Sequence, residues 1–198
     1  MDPFAGVHVD SDTSFALMHA AALRGHEVFH VAPGDVGYAE GASVASARRC
    51  VPVRGEGAPG SLGPLLPPQD VAEAFDVVWI RSDPPFDADY LHVTQLLALA
   101  EEAGALVINR PSALQAANEH LWTLRYPQLS PASLVTADAD RLLEFMSACG
   151  GVMVIKPIDG HGGEGVLVVE EGDRNKNALI ELLTQGGRAP ILAQAYLP

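Results

Sequence analysis

The stretch Val152-Met153-Val154-Ile155-Lys156-Pro157-Ile158-Asp159-Gly160-His161-Gly162-Gly163-Glu164-Gly165-Val166-Leu167-Val168-Val169 decides how this chain is read. Its glycines at 160, 162 and 165 spell G-x-G-x-x-G. A dinucleotide fingerprint of that form must stand between a strand and a helix, so that the helix N-terminus meets a pyrophosphate. Here the loop runs on into Val166–Val169, an apolar β-branched run that reads as a second strand. No Gly-Lys-Ser/Thr follows, so it is not a Walker A loop either. What remains is a glycine flap joining two antiparallel strands, with Lys156 near the end of the first. Glycines let backbone N–H groups approach phosphate oxygens without side chains in the way. A lysine at the flap's root adds a positive charge. An idle hairpin turn is the plain alternative, but four glycines within six residues exceed what a turn needs.

Outward from this stretch, the spacing predicts a strand at 133–136, a helix at 138–148 with apolar Leu142, Leu143, Phe145 and Met146, a helix at 176–185 and a strand at 191–195. Toward the N-terminus, Phe15, Met18, Ala22 and Leu23 share one helix face over 12–24. Ser11, Asp12 or Thr13 stands ready to cap that helix. Strand-like runs follow at 27–31, 43–53, 75–80 and 105–108, with a helix over 88–103 and a short helical stretch over 112–125. Residues 54–70, rich in glycine and proline, read as a surface loop or insertion. Helix and strand alternate over 12–108, which favours an open, mostly parallel sheet covered by helices. The rhythm changes after Pro111. The expected division is an N-terminal domain at 1–118 and a second, α+β domain at 119–198. The chain opens directly into a polar loop and stops just after a strand, so it reads as cut from a larger fold.

Composition narrows the function. The 198 residues carry 12 Lys+Arg against 25 Asp+Glu, a formal charge of −13, and 48% are hydrophobic. Such a chain can build a core, and its acidity argues against nucleic acid and against anionic lipid as partners. An anion can still be bound locally. No apolar run reaches the roughly 18–20 residues of a membrane span, and Met1-Asp2-Pro3-Phe4 is no secretory signal. The two cysteines, Cys50 and Cys149, are too few for a disulfide framework or a zinc site, which suits reduced thiols in the cytoplasm. The seven histidines show no metal spacing; His26 and His30 flank a strand-like run and read as solvated. Trp79 and Trp122 are expected in the core.

A second segment, Arg81-Ser82-Asp83-Pro84-Pro85-Phe86-Asp87, sits at the C-terminal end of an apolar strand, where open α/β sheets bind ligands. Arg81 there could clamp a carboxylate, with Asp83 held beside it by the prolines. A rigid turn with Asp87 capping the next helix accounts for the same residues equally well. Asp2 and the Asp10–Ser14 stretch precede a helix N-terminus, which favours anions. For Ser11, Asp12 and Thr13 a helix cap is the better account.

Taken together, these residues resemble bacterial, prokaryotic-type glutathione synthetases of the ATP-grasp superfamily. Met1-Asp2-Pro3, Asp12-Thr13-Ser14-Phe15-Ala16, Arg81–Asp87, Val107-Ile108-Asn109-Arg110-Pro111 and Asn118-Glu119-His120-Leu121 carry the resemblance in the first part. Leu134-Val135-Thr136, Ile155–Gly163 and Gln194-Ala195-Tyr196-Leu197-Pro198 carry it in the second. It runs in register over nearly the whole chain, interrupted mainly at 32–70.

The resemblance implies an α/β protein: an N-terminal open parallel-sheet, pre-ATP-grasp domain, then the central α+β ATP-grasp subdomain, with a third subdomain missing. It implies a ligase joining γ-glutamylcysteine to glycine with ATP and Mg²⁺, in a cytoplasmic homo-oligomer. Lys156 becomes the phosphate contact, and Gly160, Gly162, Gly163 and Gly165 the flap that closes over the nucleotide. Gln194, Ala195, Tyr196 and Leu197 become the adenine hinge. His120 stands where the family has a second phosphate lysine. Asp2, Ser14, Arg81 and Asp83 are candidates for the peptide substrate. Magnesium ligands are expected in the missing subdomain, not in this chain. Two other functions stay open: an ATP-grasp carboxylate–amine ligase with different substrates, and an inactive nucleotide-binding fragment.

Overall fold

The computed structural model describes Met1 and residues 3–55, 59–83 and 85–197. The chain folds into two compact units. One comprises Met1–Asp83 and Ala88–Gln115, the other Ala116–Pro198 with the short Pro84–Asp87 segment.

The first unit opens with helix α1 (Thr13–Leu23), which is capped by Asp12: its carboxylate accepts from the amides of Ser14 at 2.6 Å and Phe15 at 3.2 Å. Strands β1 (Val28–His30), β2 (Val36–Ala39), β3 (Ala42–Ala45), β4 (Arg48–Pro52), β5 (Gly60–Leu65) and β6 (Gln69–Asp70) follow. Then come helix α2 (Val71–Ala74), strand β7 (Val77–Trp79), helix α3 (Ala88–Glu102), strand β8 (Leu106–Ile108) and helix α4 (Pro111–Ala116). Strands β7 and β8 run parallel. The other strand pairs described in this unit, β1–β4–β5 and β2–β3–β6, are antiparallel.

Local chemistry accounts for that departure from a mostly parallel sheet. Glu40 and Gly41 both take positive φ, 53° and 89°, and join β2 to β3 in a two-residue turn. Positive φ at both central positions is the signature of the tight hairpin turn that reverses a strand, and the second position suits glycine. The 43–53 run therefore splits into β3 and β4. The glycine- and proline-rich 54–70 segment is likewise not all loop. It carries β5, which pairs with β4 after the chain folds back, and β6. Glu56, Gly57 and Ala58 within it lie outside the described residues.

The core of this unit gathers Ala45, Val71, Ile80, Leu97, Ala100, Ala105 and Val107. The 75–80 run is buried on one face only: Val78 and Ile80 pack inward, while Trp79 is 45% exposed. In a strand alternate residues face opposite ways, so Val77 and Trp79 cannot join Val78 in the core. Trp122 also lies outside the core, 37% exposed, with the Arg125 guanidinium 4.2 Å from its ring centroid. His30, expected in solvent, is buried against the edge of the Phe4 ring.

In the second unit the 112–125 helical stretch continues as a separate turn, α5 (Glu119–Trp122), because Asn118 leaves helical geometry and caps it. Strand β9 (Ser133–Thr136), helix α6 (Ala139–Ala148), strands β10 (Val152–Pro157) and β11 (Leu167–Glu170), helix α7 (Lys176–Leu183) and strand β12 (Ile191–Ala195) complete it. The sheet order is β11-β10-β12-β9, antiparallel throughout. Asp138 caps α6, which buries Leu142 and Met146, one turn apart. With Met153, Ile155, Val169, Ile180, Ile191 and Ala193 they form a single core on one face of the sheet. Among the described residues no helix is long and apolar enough to cross a membrane.

The two thiols differ in setting. Cys50 is buried on β4, and burial pushes its pKa from 9.0 up to about 11. Cys149, at the end of α6, is partly exposed. We expect a thiol reagent at pH 8 to label Cys149 in the native protein and Cys50 only after unfolding. The unfolded state loses the Cys50 proton first, so this group's contribution to stability is intact below pH 9 and declines as pH rises toward 11. A denaturant titration at pH 8 and pH 10.5, compared with Cys50→Ala, measures it.

Candidate functional site

The antiparallel register of the second unit sorts its side chains between two faces. Met153 and Ile155 of β10 enter the core, so Val154 and Lys156 project from the opposite face. On β12 Ile191 and Ala193 enter the core, and Leu192 and Gln194 share the face of Lys156. Gln194 lies opposite Val154 on one side and opposite Ser133 on the other. The result is a polar line across three strands. Lys156 Nζ donates to Gln194 Oε1 at 2.8 Å, Gln194 Nε2 donates to Ser133 Oγ at 3.0 Å, and Ser133 Oγ donates to the Pro131 carbonyl at 2.8 Å. Lys156 is one of only two lysines in the chain; the other, Lys176, donates to the Glu171 carbonyl.

Strands β10 and β11 are joined by the glycine loop, and the Val166 amide closes a turn onto the Gly163 carbonyl. Gly165 has φ +70°, and a Cβ there would come within 2.7 Å of the Pro157 side chain. Both the backbone and the space at this position therefore require glycine. Gly160 is close-fitting as well, since a Cβ would lie 3.1 Å from the Glu164 carbonyl. The Gly162–Val166 tip is exposed.

At the loop's root the buried Asn118 side chain does two things. Its Oδ1 accepts from the amides of His120 and Leu121, both at 3.0 Å, and its Nδ2 donates to the Ile158 carbonyl at 3.1 Å. It thereby ties the turn that carries His120 to the start of the glycine loop. His120 Nε2 lies 3.7 Å from Glu119 Oε1. At the other end of the sheet Ala195 closes β12, its amide donating to the Ala132 carbonyl at 2.9 Å. Tyr196 and Leu197 follow, exposed at 47% and 68%.

The second unit thus gathers Lys156, Gln194 and Ser133 into one line, and joins His120 through Asn118 to the loop of Gly160–Gly165. Sequence reasoning missed Ser133 and the bridging role of Asn118. The signals available were a hydroxyl at an outward-facing position of a strand and an asparagine just before an acidic helical turn.

In the first unit, Arg81 Nε donates to Ser14 Oγ at 3.1 Å and an Arg81 Nη donates to Thr13 Oγ1 at 2.6 Å. The structure therefore brings Arg81 to the start of α1, beside the buried Ser14. Asp83 is described and makes contacts of its own. Asp2 and Pro84, part of the same expectation, lie outside the described residues. Among the described residues no three His, Cys, Asp or Glu side chains converge to hold a metal ion.

Comparison with known proteins places the chain in a class. The model of the prokaryotic glutathione synthetase N-terminal domain matches residues 1–115, and that of the prokaryotic glutathione synthetase ATP-grasp domain matches residues 119–198. A RimK domain ATP-grasp protein from Sphaerobacter thermophilus superimposes with a TM-score of 0.61 at 20% identity, over 97% of this chain and 62% of its own. The fold is that of an ATP-grasp protein.

The chain belongs to the prokaryotic glutathione synthetase family, whose members are ATP-dependent ligases. Glutathione synthetases of Vibrio cholerae and Xanthomonas campestris pv. campestris are 35% and 39% identical to it over its whole length. The chain spans 61% and 62% of those two relatives.

Gly165→Ala should destabilise the β10–β11 hairpin by about 1–3 kcal/mol, the usual cost of a forced left-handed residue with a clash. Chemical denaturation of the variant measures the loss. An unchanged midpoint would mean that the loop relaxes freely around the added methyl.

Proposed function

We propose that the second unit binds ATP on the sheet face that carries Lys156 and Gln194, and that the chain forms the substrate-binding and nucleotide-binding portion of a glutathione synthetase. The observation that carries the reading is the placement of Lys156: a lysine with no acidic partner among the described residues, fixed by a neutral amide at the root of a glycine loop. A neutral acceptor holds the ammonium in place and leaves its charge available for a phosphate.

On this reading each residue has a role. Lys156 neutralises phosphate oxygens, and the amides of the 160–165 loop close over them. The Ala195 amide is engaged in the sheet, so the adenine edge meets the backbone of Tyr196 and Leu197. His120 in its protonated form adds a second positive charge, and in its neutral form only a hydrogen bond. Arg81, Ser14 and Asp83 in the first unit serve the peptide substrate, with the Arg81 fork suited to a carboxylate.

In the complete enzyme the cysteinyl carboxylate of γ-glutamylcysteine attacks the γ-phosphorus of ATP and ADP leaves, giving an acyl phosphate. The glycine amine then attacks the acyl carbon, forming the amide bond and releasing phosphate and a proton. Phosphoryl transfer of this kind needs positioning and charge neutralisation more than a catalytic acid. A closed loop also keeps water from the acyl phosphate. Magnesium would be held by ligands of the family's third subdomain. The two free thiols suit a cytoplasmic setting.

His120 and the share of the relatives that the chain spans favour binding without turnover by these 198 residues alone. Isothermal calorimetry should detect weak ATP binding, and a coupled ADP assay no turnover. Lys156→Met should weaken binding by about tenfold or more, as loss of one charged phosphate contact does. ATP should also shield Lys156, but not Lys176, from amine acylation followed by mass spectrometry. Equal binding by wild type and Lys156→Met, with no shielding, would remove Lys156 from the phosphate site.

A further inference from the structure

We infer that Ser133 is a positioning residue for Lys156, acting through Gln194, and that this line of hydrogen bonds sets the strength of ATP binding; the inference rests on the nucleotide reading above. The reasoning begins with what each group can donate. A lysine ammonium has no lone pair to offer, so the Gln194 atom facing it must be the carbonyl oxygen. That orientation turns the Gln194 NH₂ the other way, where it meets Ser133 Oγ at 3.0 Å. With its oxygen accepting there, Ser133 sends its own hydrogen to the Pro131 carbonyl. The line therefore has one direction, from Lys156 to Gln194 to Ser133 to Pro131.

Gln194 is only 8% exposed and stands on β12, between β10 and β9. Water is a poor substitute for a missing partner at such a site. Without the Ser133 hydroxyl, the NH₂ of Gln194 has lost its acceptor, and the side chain is drawn out of its place toward another acceptor or water. The Gln194 carbonyl oxygen moves with it, and Lys156 loses the acceptor that holds it in position. Ser133 thus touches no phosphate and still determines where the phosphate lysine stands. Its register makes the coupling rigid: Ser133 and Gln194 are directly opposed across β9 and β12, with Lys156 diagonal to Gln194 on β10.

Threonine and valine have nearly the same shape and favour strands, but only threonine keeps the hydroxyl. Calorimetry with MgATP on the full chain should show Ser133→Thr binding within about twofold of wild type and Ser133→Val weakened by about tenfold, the usual scale for an unsatisfied buried polar group. In a Lys156→Met background, Ser133→Val should have no further effect, because the residue acts only through the lysine. Wild-type binding with Ser133→Thr and Ser133→Val alike would overturn the inference and leave the nucleotide reading intact. So would an equal loss from Ser133→Val with and without Lys156. No ATP binding by the wild type would remove both. Should Ser133→Val fail to fold, hydrogen exchange at the Gln194 side-chain amide of the wild type decides: protection supports the line, and exchange at the rate of a free amide refutes it.

Discussion

The bond between Lys156 and Gln194 depends on a register. Lys156 is opposite Leu192 on β12, and Gln194 is opposite Val154 on β10, so the two polar side chains are diagonal neighbours on one face. A slip of one residue would send Lys156 into the core beside Leu142 and Met146, where an ammonium costs several kcal/mol even after relaxation. The packing of Met153, Ile155, Ile191 and Ala193 on the other face therefore does more than stabilise the sheet. It fixes which side the lysine occupies. The apolar core and the candidate site are two faces of one alternation.

The glycine loop inherits its starting point from the same strand. Pro157 follows Lys156 directly, and its ring is what a side chain at Gly165 would strike. The two ends of the hairpin are thus held close while its tip stays exposed. On the proposed reading, a loop fixed at its root closes over the nucleotide without disturbing the residue that anchors it. Asn118 extends the anchoring to α5 through the Ile158 carbonyl.

Much of this was legible in the sequence, for identifiable reasons. Strand–glycines–strand excluded a dinucleotide fold because a strand, not a helix, follows the loop. The apolar Leu142, Leu143, Phe145 and Met146 announced α6, though not the Asp138 cap. The elements that escaped are those decided by turn chemistry or by tertiary contact. Glu40-Gly41 makes a hairpin without the usual asparagine or aspartate, so β2 and its pairing with β3 lacked their signal. Gly60 and Gly63 lie within a strand, against glycine's general tendency, because β5 runs alongside β4 in a Gly/Pro-rich stretch. Trp79 looked like core because Val77–Ile80 is uniformly apolar, and only the packing of Val78 and Ile80 shows which alternate residues turn outward. In the site, Lys156 stood out by its neighbours. Ser133 did not, since an outward serine on a strand looks the same whether it faces water or a buried amide.

Charge explains why so few residues matter. The chain carries a formal −13, so its overall field repels a nucleotide triphosphate. At physiological salt that field is screened within about 8 Å, and attraction must come from groups in direct contact. The second unit supplies one lysine on the relevant sheet face and a histidine on the turn tied to the loop. Asn118 fixes the backbone position of His120 regardless of its protonation, so a change at 120 alters charge and leaves placement alone. On the proposed reading, Lys156 carries most of the local attraction, and its value depends on standing where the phosphate would arrive. That places unusual weight on an uncharged glutamine and the serine behind it: in a strongly acidic protein, neutral partners are the ones that can aim a cation without cancelling it.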